Sequence, residues 1–337
     1  MTDTTAKTDR RRFITIAAAA AGMPLPVLRR LRAAEEPLLR IWTGSALGAD
    51  AVLQIHHPDP RAADRLIERS LAEVARQERV FSLYRADSAL ARLNRDGHLD
   101  DPPFDLLRLL AESARLSVLT DGAFDVTVQP LWEVYATHFG RPDADPAGPS
   151  PAAIKAALVR TGHERVLLDA QRIGFVAPGT SITLNGIAQG YITDRVVALL
   201  RDAGITHALV DMGEIRAIGG HPARQPWAVG LEDPRKPGRI AQRIELLDKA
   251  VATSGGYGTQ FDALGRFNHI FDPSTGTTSW RYAAVSVVAA DATTADALST
   301  AFMLMPLDRT QRVVDALGLQ AHFTMADGSR LWQSPAG

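Results

Sequence analysis

The chain has 337 residues, of which 46% are hydrophobic and 22% charged, values typical of a globular protein that buries a sizeable core. It contains no cysteine, which excludes disulfide bonds, thiolate metal sites and cysteine nucleophiles. The formal net charge is −1, but residues 1–34 carry +5 and the remainder −6, so nucleic acid is not expected as a partner.

The first 34 residues have the features of an export signal. A polar start leads to the arginine pair Arg10 and Arg11, which is typical of the twin-arginine pathway. The apolar run over 14–28 is short and interrupted by glycine and proline, so it is too weak to span a membrane. We therefore predict an export signal over 1–34, a periplasmic location, and a folded region over 35–337.

Hydrophobic periodicity predicts both strands and helices in the rest of the chain. The predicted helices cover 61–80, 104–119, 188–200, 295–305 and 308–317. The predicted strands are a pair over 39–57 and short segments at 166–168, 173–176, 182–184, 208–210, 227–230, 243–246, 250–253 and 283–288. The elements do not alternate regularly, which indicates a mixed α/β (α+β) fold rather than a doubly wound sheet. The Pro-, Gly- and Asp-rich stretch 140–151 predicts a loop at which two lobes could meet.

Two glycines lie four residues apart in the segment TLNGIAQGYITD, residues 183–194. Gly186 and Gly190 stand between an apolar segment and a predicted helix, so the turn could direct backbone N–H groups and a helix N-terminus at an anion. An ordinary tight connection explains the two glycines equally well.

The segment DATTADALSTAFM, residues 291–303, could hold a metal ion. On a helix, Asp296 and Thr300 share one face, and a carboxylate with a hydroxyl suits Mg²⁺. The alternative is structural, because Thr293 with Asp296 forms a capping-box pattern at a helix start. From these residues alone the structural interpretation is favoured.

Two further segments carry residues for catalysis or phosphate binding. In VATSGGYGTQF, Thr253, Ser254 and Gly255 follow an apolar strand and offer hydroxyls and backbone to phosphate or ribose, although a plain Ser/Gly turn fits as well. In NHIFDPSTG, His269 stands among apolar residues as a core histidine would. Beside the turn residue Asp272, it could instead act as a general base.

Two other segments could contact a ligand. Glu214 follows a glycine at a strand end, where its carboxylate could accept hydrogen bonds from a ribose or a base, or could be a solvated loop residue. Tyr84, Phe124 and Trp132 could line an aromatic slot, or could belong to the core.

No single segment identifies a protein family, but the order and spacing of all the segments together do. Over about residues 41–332 the chain resembles the ApbE family of FAD:protein FMN transferases, in SLYRADSALARLN, DGAFDVTVQPLW, TLNGIAQGYITDRV, LVDMGEIRAIG, WAVGLEDP, AVATSGGYG, NHIFDPSTG and ADALSTAF. With the export signal, LNGIAQGYITD and VDMGEIRA are most similar to the NosX branch, which is linked to nitrous oxide reductase maturation.

The resemblance implies a bilobal fold that binds FAD between its lobes, with Mg²⁺ at the pyrophosphate. Asp296 and Thr300 would be side-chain metal ligands, and the carbonyl of Ala188 would be a third. Gly186 and Gly190 would let the turn approach the pyrophosphate.

The resemblance also implies a phosphoryl transfer in which a threonine hydroxyl of an acceptor flavoprotein attacks the FMN-side phosphorus of FAD. AMP leaves, and FMN stays attached through a phosphoester. The acceptor is expected to be a membrane protein similar to NosR. His269 would be the base, or would orient the hydroxyl, with Asp272 in support. The residues expected to bind FAD are Tyr84, which would stack on the isoalloxazine, and Asp125, Thr253, Ser254, Gly255 and Glu214.

The chain departs from the family at Gln189, where lysine is common. The missing cation would remove one phosphate contact and would lower the rate of transfer or alter FAD affinity. Gln189 therefore leaves open a non-catalytic periplasmic FAD-binding protein. A pyrophosphatase that uses water as the nucleophile at the same site, and cleaves FAD to FMN and AMP, is a second alternative.

Overall fold

The computed structural model describes residues 14–15, 38–46, 48–223 and 225–336. Of the predicted export signal only β1 is described, so Arg10 and Arg11 lie outside the described residues and the signal stays a prediction. The strands are β1 (Ile14–Thr15), β2 (Leu38–Ala46), β3 (Ala49–His57), β4 (His98–Asp100), β5 (Val166–Leu168), β6 (Arg172–Phe175), β7 (Ala208–Asp211), β8 (Ile215–Ile218), β9 (Trp227–Asp233), β10 (Lys236–Leu246), β11 (Ala250–Ser254), β12 (Tyr282–Ala289), β13 (Gln320–Met325) and β14 (Arg330–Gln333). The α-helices are α1 (Pro60–Phe81), α2 (Ala89–Asp96), α3 (Phe104–Leu119), α4 (Gln129–Phe139), α5 (Pro151–Leu158), α6 (Ala188–Asp202), α7 (Ala292–Phe302) and α8 (Leu307–Leu317).

An eight-stranded sheet organises the described chain, in the order β14-β13-β12-β11-β8-β7-β3-β2. Two three-stranded sheets, β1-β9-β10 and β4-β6-β5, accompany it. Every described strand pair is antiparallel. The mixed α/β class is therefore confirmed, and a doubly wound parallel sheet is absent from the described residues.

Both faces of the large sheet are covered over its central strands, so these strands are buried. Helices α1, α6 and α7 contact one face, in the main hydrophobic cluster. The β9–β10 ribbon covers part of the other face, where Trp227, Val229 and Leu246 pack against Leu209 and Val251. Burial on two faces explains the nearly continuous apolar runs in β7, β11 and β12. Among the described residues, no helix combines the length and apolar character needed to cross a bilayer.

Most predicted elements are present, but the strand predicted at 182–184 is wrong. Asn94 donates through Nδ2 to the carbonyl of Ile182 and accepts from its amide through Oδ1, both at 2.8 Å. The amide of Thr183 donates to the carbonyl of Val126. An asparagine side chain and a turn thus satisfy backbone groups that a neighbouring strand would otherwise satisfy.

The loop predicted over 140–151 is present between α4 and α5. The two helices bury residues in one small cluster, which contains Leu131, Tyr135, Ala157 and Phe271. The division of the chain into a signal, a folded region and two lobes stays a prediction.

Candidate active site

A cleft of about 1320 Å³ lies between the turn that precedes α6, the end of β11 and the face of α7. Ten of the thirteen site residues predicted from the sequence line it: Tyr84, Asp125, Gly186, Glu214, Thr253, Ser254, Gly255, His269, Asp296 and Thr300. The other three, Ala188, Gly190 and Asp272, are not among the lining residues. The chain thus brings together residues that are more than 200 positions apart in the sequence.

Asp296 is a buried carboxylate held in the cleft wall by a neighbouring helix. Only 4% of the surface of Asp296 is exposed, and its Oδ2 accepts a 3.0 Å hydrogen bond from the amide of Gly190. A Cβ at Gly190 would lie 2.2 Å from the carbonyl oxygen of Ala292, so only glycine lets the two helices approach this closely. Gly190 therefore orients Asp296 and is not itself among the residues that line the cleft.

The alternative role of Asp296 in a capping box is wrong. Helix α7 begins at Ala292, three residues before the predicted start, and its N-cap is Asp291. The carboxylate of Asp291 accepts from the amide of Thr294 at 2.7 Å. Asp296 lies more than one turn inside the helix, where no cap is needed.

A group of hydroxyls stands beside Asp296. The Oγ of Ser254 lies 2.7 Å from the Oγ of Ser299 and 3.1 Å from the Oγ1 of Thr300. A Cβ at Gly186 would come within 3.1 Å of the same Thr300 oxygen, so glycine at this position keeps the hydroxyl accessible from the turn. One carboxylate and several hydroxyls form a set of hard oxygen donors.

This donor set fits a magnesium ion that is shared with a phosphate ligand. Mg²⁺ is typically held by one or two carboxylates, while substrate phosphates and water complete its coordination. Among the described residues no group of three or more His, Asp or Glu side chains could hold a metal by itself. Asp296 and Thr300 would therefore suit a Mg²⁺ that is also held by oxygens of a ligand or of water.

Helix α6 begins at the cleft, as its position after the glycine turn predicts. Its N-cap residue, Ile187, has no side-chain cap, and Ala188 is its first residue. The Nε2 of Gln189 is buried in the cleft wall without a hydrogen-bond partner in the described structure. Asp296 accepts from the amide of Gly190 in this first turn, whereas the side-chain amide donor of Gln189 is unsatisfied and favours an anionic ligand at this end of the cleft.

His269 lines the cleft, and its Nδ1 lies beside the backbone of Thr259. Its Nδ1 lies 3.2 Å from both the amide nitrogen and the carbonyl oxygen of Thr259. In the tautomer that donates from Nδ1 to the carbonyl, the Nε2 lone pair can accept a proton. A Cβ at Gly258 would lie 3.0 Å from Cε1 of the ring, so a side chain at this position would crowd the imidazole.

Asp272 is not brought to the cleft. Its Oδ1 accepts hydrogen bonds from the amide and the hydroxyl of Ser274, at 2.8 and 2.6 Å, and from the amide of Thr275. These contacts are those of a turn-forming aspartate. The structure therefore gives Asp272 a structural role in the turn after His269, and the expected support of the histidine is not seen.

Neighbouring residues of β11 point to opposite faces of the sheet, as a strand requires. Ser254 points toward α7, whereas the Oγ1 of Thr253 lies 2.8 Å from the Oγ of Ser286 on β12. Thr253 thus lines the cleft with its hydroxyl already engaged.

Asp125 is a second buried carboxylate in the cleft. Its Oδ1 accepts from the amide and the hydroxyl of Thr127, at 2.7 and 2.6 Å, and its Oδ2 lies 3.9 Å from the Nδ1 of His163. Burial raises the pKa of Asp125, and the hydrogen bonds from Thr127 oppose this effect. A carboxylate held in this way can accept a hydrogen bond from a ligand.

Sequence reasoning missed Tyr257, although it lies in the same GGYG stretch as Gly255. A Cβ at Gly255 would lie 2.2 Å from the tyrosine ring, which therefore packs flat on the backbone. Burial raises the pKa of Tyr257, and the negative charge of Glu214 raises it further. Tyr84, in contrast to the partly buried Tyr257, lines the cleft with 76% of its surface exposed.

Comparisons with known proteins identify the family to which this fold and this cleft belong. The profile of the ApbE family matches residues 47–323. An FAD:protein FMN transferase of Vibrio cholerae is 36% identical over 267 residues, which cover 77% of this chain and 78% of that protein. One of Salmonella typhimurium is 29% identical over 312 residues, which cover 89% and 88%.

Solved structures match over most of their length. The ApbE protein of Thermotoga maritima aligns with a TM-score of 0.77 and 30% identity, over 88% of this chain and 97% of that one. The flavinyl transferase ApbE of Pseudomonas stutzeri aligns with a TM-score of 0.73 and 27% identity, over 89% and 96%. The chain belongs to the ApbE family, and it is a transferase enzyme.

Proposed function

We propose that this enzyme transfers the FMN half of FAD to a threonine side chain of an acceptor protein, in a Mg²⁺-dependent reaction that releases AMP. The observation that carries the proposal is the convergence of Asp296, Thr300 and His269 on one cleft of about 1320 Å³. The names of the similar proteins, FAD:protein FMN transferase, support the same reaction.

The diphosphate of FAD would lie at the N-terminal end of α6. The helix dipole and the amide donor of Gln189 favour negative charge there. Asp296 and Thr300 would hold Mg²⁺, which when bound neutralises charge on the diphosphate. Ala188 does not line the cleft, so the two side-chain ligands carry this part of the proposal.

The nucleophile needs a group that removes its proton, and His269 has the right chemistry. With Nδ1–H donating to the carbonyl of Thr259, Nε2 accepts the threonine proton. The threonine oxygen then bonds to the FMN-side phosphorus, and the bond from that phosphorus to the bridging oxygen breaks. The electron pair leaves with AMP, so the product is an FMN phosphoester.

The aromatic and apolar part of the cleft suits the isoalloxazine ring. Phe124, Val128, Trp132 and Phe271 line the cleft, and Tyr84 lines it with most of its surface exposed. A large flat ring buries apolar area against such walls, and the exposed tyrosine can stack on it.

The proposed reaction can be tested with FAD, Mg²⁺ and an acceptor flavoprotein domain that has one candidate threonine. Transfer yields a fluorescent protein band and one AMP for each FMN bound. The matched control is the acceptor with that threonine replaced by valine, and EDTA tests the metal requirement. Free FMN with AMP and no labelled protein would identify a pyrophosphatase instead. FAD binding without any turnover would identify a non-catalytic binding protein.

We further propose that the enzyme acts in the periplasm on a membrane-bound acceptor similar to NosR, as a member of the NosX branch. The arginine pair Arg10–Arg11 and the segment LNGIAQGYITD support this assignment. The test is cell fractionation of the full chain and of a variant in which both arginines are lysine. Retention of the variant, but not of the natural chain, in the cytoplasm supports twin-arginine export, and equal distribution contradicts it.

A further inference from the structure

A side chain of α6 caps the N-terminus of α7. The Oδ1 of Asp194 accepts from the amide of Ala292 at 2.9 Å, and its Oδ2 accepts from the amide of Thr293 at 2.9 Å. The hydroxyl of Thr293 also donates to Oδ2, at 2.5 Å. Two backbone N–H groups that a helix start leaves without a partner are thus satisfied by a different helix.

This cap exists in addition to the ordinary one. Asp291 is the N-cap of α7 and accepts from the amide of Thr294. Asp194 is therefore not required to replace a missing cap. Asp194 instead fixes the position of α7 against α6, because its two oxygens accept hydrogen bonds from two successive amides and one hydroxyl of α7.

The carboxylate of Asp194 is in turn bound by an arginine of the large sheet. Arg216 on β8 donates from Nη1 to the Oδ1 of Asp194 at 2.5 Å, and both side chains are mostly buried. A buried carboxylate without a cation would be costly, and the arginine also fixes its direction.

A second contact of α6 reaches the same helix. Gly190 precedes Asp194 by four residues, so both lie on one face of α6. The amide of Gly190 donates to Oδ2 of Asp296. Asp296 lies one turn beyond Ala292 and Thr293, whose amides donate to Asp194. The two contacts together fix the rotation and the height of α7 against α6.

We propose that Asp194, supported by Arg216, is a positioning residue for the phosphate-binding end of the cleft. It holds the first turn of α7 so that Asp296 and Thr300 face the cleft together. The inference rests on the proposed Mg²⁺-dependent function, since it concerns the residues assigned to the metal and the diphosphate.

The test uses the full-length chain with Asp194→Asn, and Asp202→Asn as the matched control, because Asp202 is an exposed acid of the same helix. We expect Asp194→Asn to raise the KM for Mg²⁺ by about 10- to 100-fold, the usual effect of losing a group that orients metal ligands. FAD affinity in EDTA should stay unchanged, and amide hydrogen exchange over 290–297 should be faster. Equal exchange and equal KM in the two variants would overturn the proposal, as would an equal loss of FAD affinity with and without Mg²⁺.

A milder pair of variants covers the case in which Asp194→Asn does not fold. Thr293→Val removes only the hydroxyl that donates to Asp194, and Thr293→Ser keeps it. We expect the valine variant to raise the KM for Mg²⁺ and the serine variant to restore it. If the natural chain transfers FMN independently of Mg²⁺, the proposed Mg²⁺-dependent function fails and this inference fails with it. If the natural chain depends on Mg²⁺ and Thr293→Val behaves like it, the inference alone is overturned.

Discussion

The amide of Gly190 on α6 donates a 3.0 Å hydrogen bond to the Oδ2 of Asp296 on α7, so a backbone group of one helix sets the direction of a carboxylate on another. The absence of a side chain at Gly190 makes this contact possible, because a Cβ there would lie 2.2 Å from the carbonyl oxygen of Ala292. The two glycines of TLNGIAQGYITD therefore have different roles. Gly186 opens the turn to the cleft, and Gly190 lets two helices meet.

The close approach at Gly190 predicts a strong effect of one added methyl group. Gly190→Ala should separate α6 from α7 and destabilise the fold by about 1–3 kcal/mol through overpacking. Because Asp296 moves with α7, FMN transfer should fall by about 100-fold. Urea unfolding and transfer assays measure the two effects. The control is Gly174→Ala, where a Cβ meets nothing within 4 Å. Normal activity in Gly190→Ala would contradict the assigned helix contact.

The charge of Asp296 can be separated from its shape. Asp296→Asn keeps an oxygen that accepts from the Gly190 amide but removes the negative charge that suits a divalent ion. We expect kcat/KM for transfer to fall by at least about 100-fold, with partial recovery at high Mg²⁺ concentration. Asp308→Asn, an exposed acid in the first turn of α8, provides the control. An Asp296→Asn variant with unchanged Mg²⁺ dependence would remove this residue from the metal site.

His269 is predicted to determine the rate of FMN transfer rather than the affinity for FAD. His269→Gln removes the proton acceptor and should lower kcat by about 100- to 10,000-fold while FAD affinity is unchanged. Fluorescence titration measures the affinity, and single-turnover labelling of the acceptor measures the rate. His98→Gln replaces an exposed histidine outside the cleft and should leave both values as they are. A parallel loss of binding and rate would indicate that His269 holds FAD rather than the proton.

Local patterns in the sequence predicted much of the fold and of the cleft. The apolar period of 61–80 corresponds to α1, whose N-cap Asp59 and first residue Pro60 are ordinary start signals. Asp296 and Thr300 share a helix face because of their spacing, and the structure places both in the cleft wall. These features depend on neighbours in the chain, which is why the sequence reveals them.

Features that depend on distant neighbours could not be predicted. The apolar run 182–184 predicts a strand, but Asn94, 88 positions away, satisfies the backbone of Ile182 in place of a strand partner. Asp194 lies 98 positions before the amide of Ala292 that it caps. Asp272 resembles a partner for His269 in sequence, but its Oδ1 accepts hydrogen bonds within its own turn. In each case a side chain acts on a segment that only the tertiary fold brings near.

A partly buried network between α1, α3 and α6 makes stability depend on pH. The hydroxyl of Tyr191 donates to Oδ1 of Asp105 at 2.6 Å, and Arg76 lies 2.7 Å from Oδ2. Burial alone would raise the pKa of Asp105, but the hydrogen bond from Tyr191 and the ion pair with Arg76 hold it below its ordinary value. A lowered pKa in the folded state stabilises the fold above the unfolded-state pKa of about 3.9, and the stabilisation is lost as pH falls through the folded-state value.

Tyr191→Phe should therefore reduce stability by an amount that depends on pH. At neutral pH the variant loses a hydrogen bond to a charged group, and we expect a loss of about 2 kcal/mol in the free energy of unfolding. Below about pH 4 the difference from the natural chain should shrink, because Asp105 becomes protonated. Urea titrations at several pH values measure this change. Tyr282→Phe is the control, since the hydroxyl of Tyr282 donates to the neutral carbonyl of Met305 and its loss should cost the same at every pH. A pH-independent effect of Tyr191→Phe would show that its hydroxyl does not stabilise the charged form of Asp105.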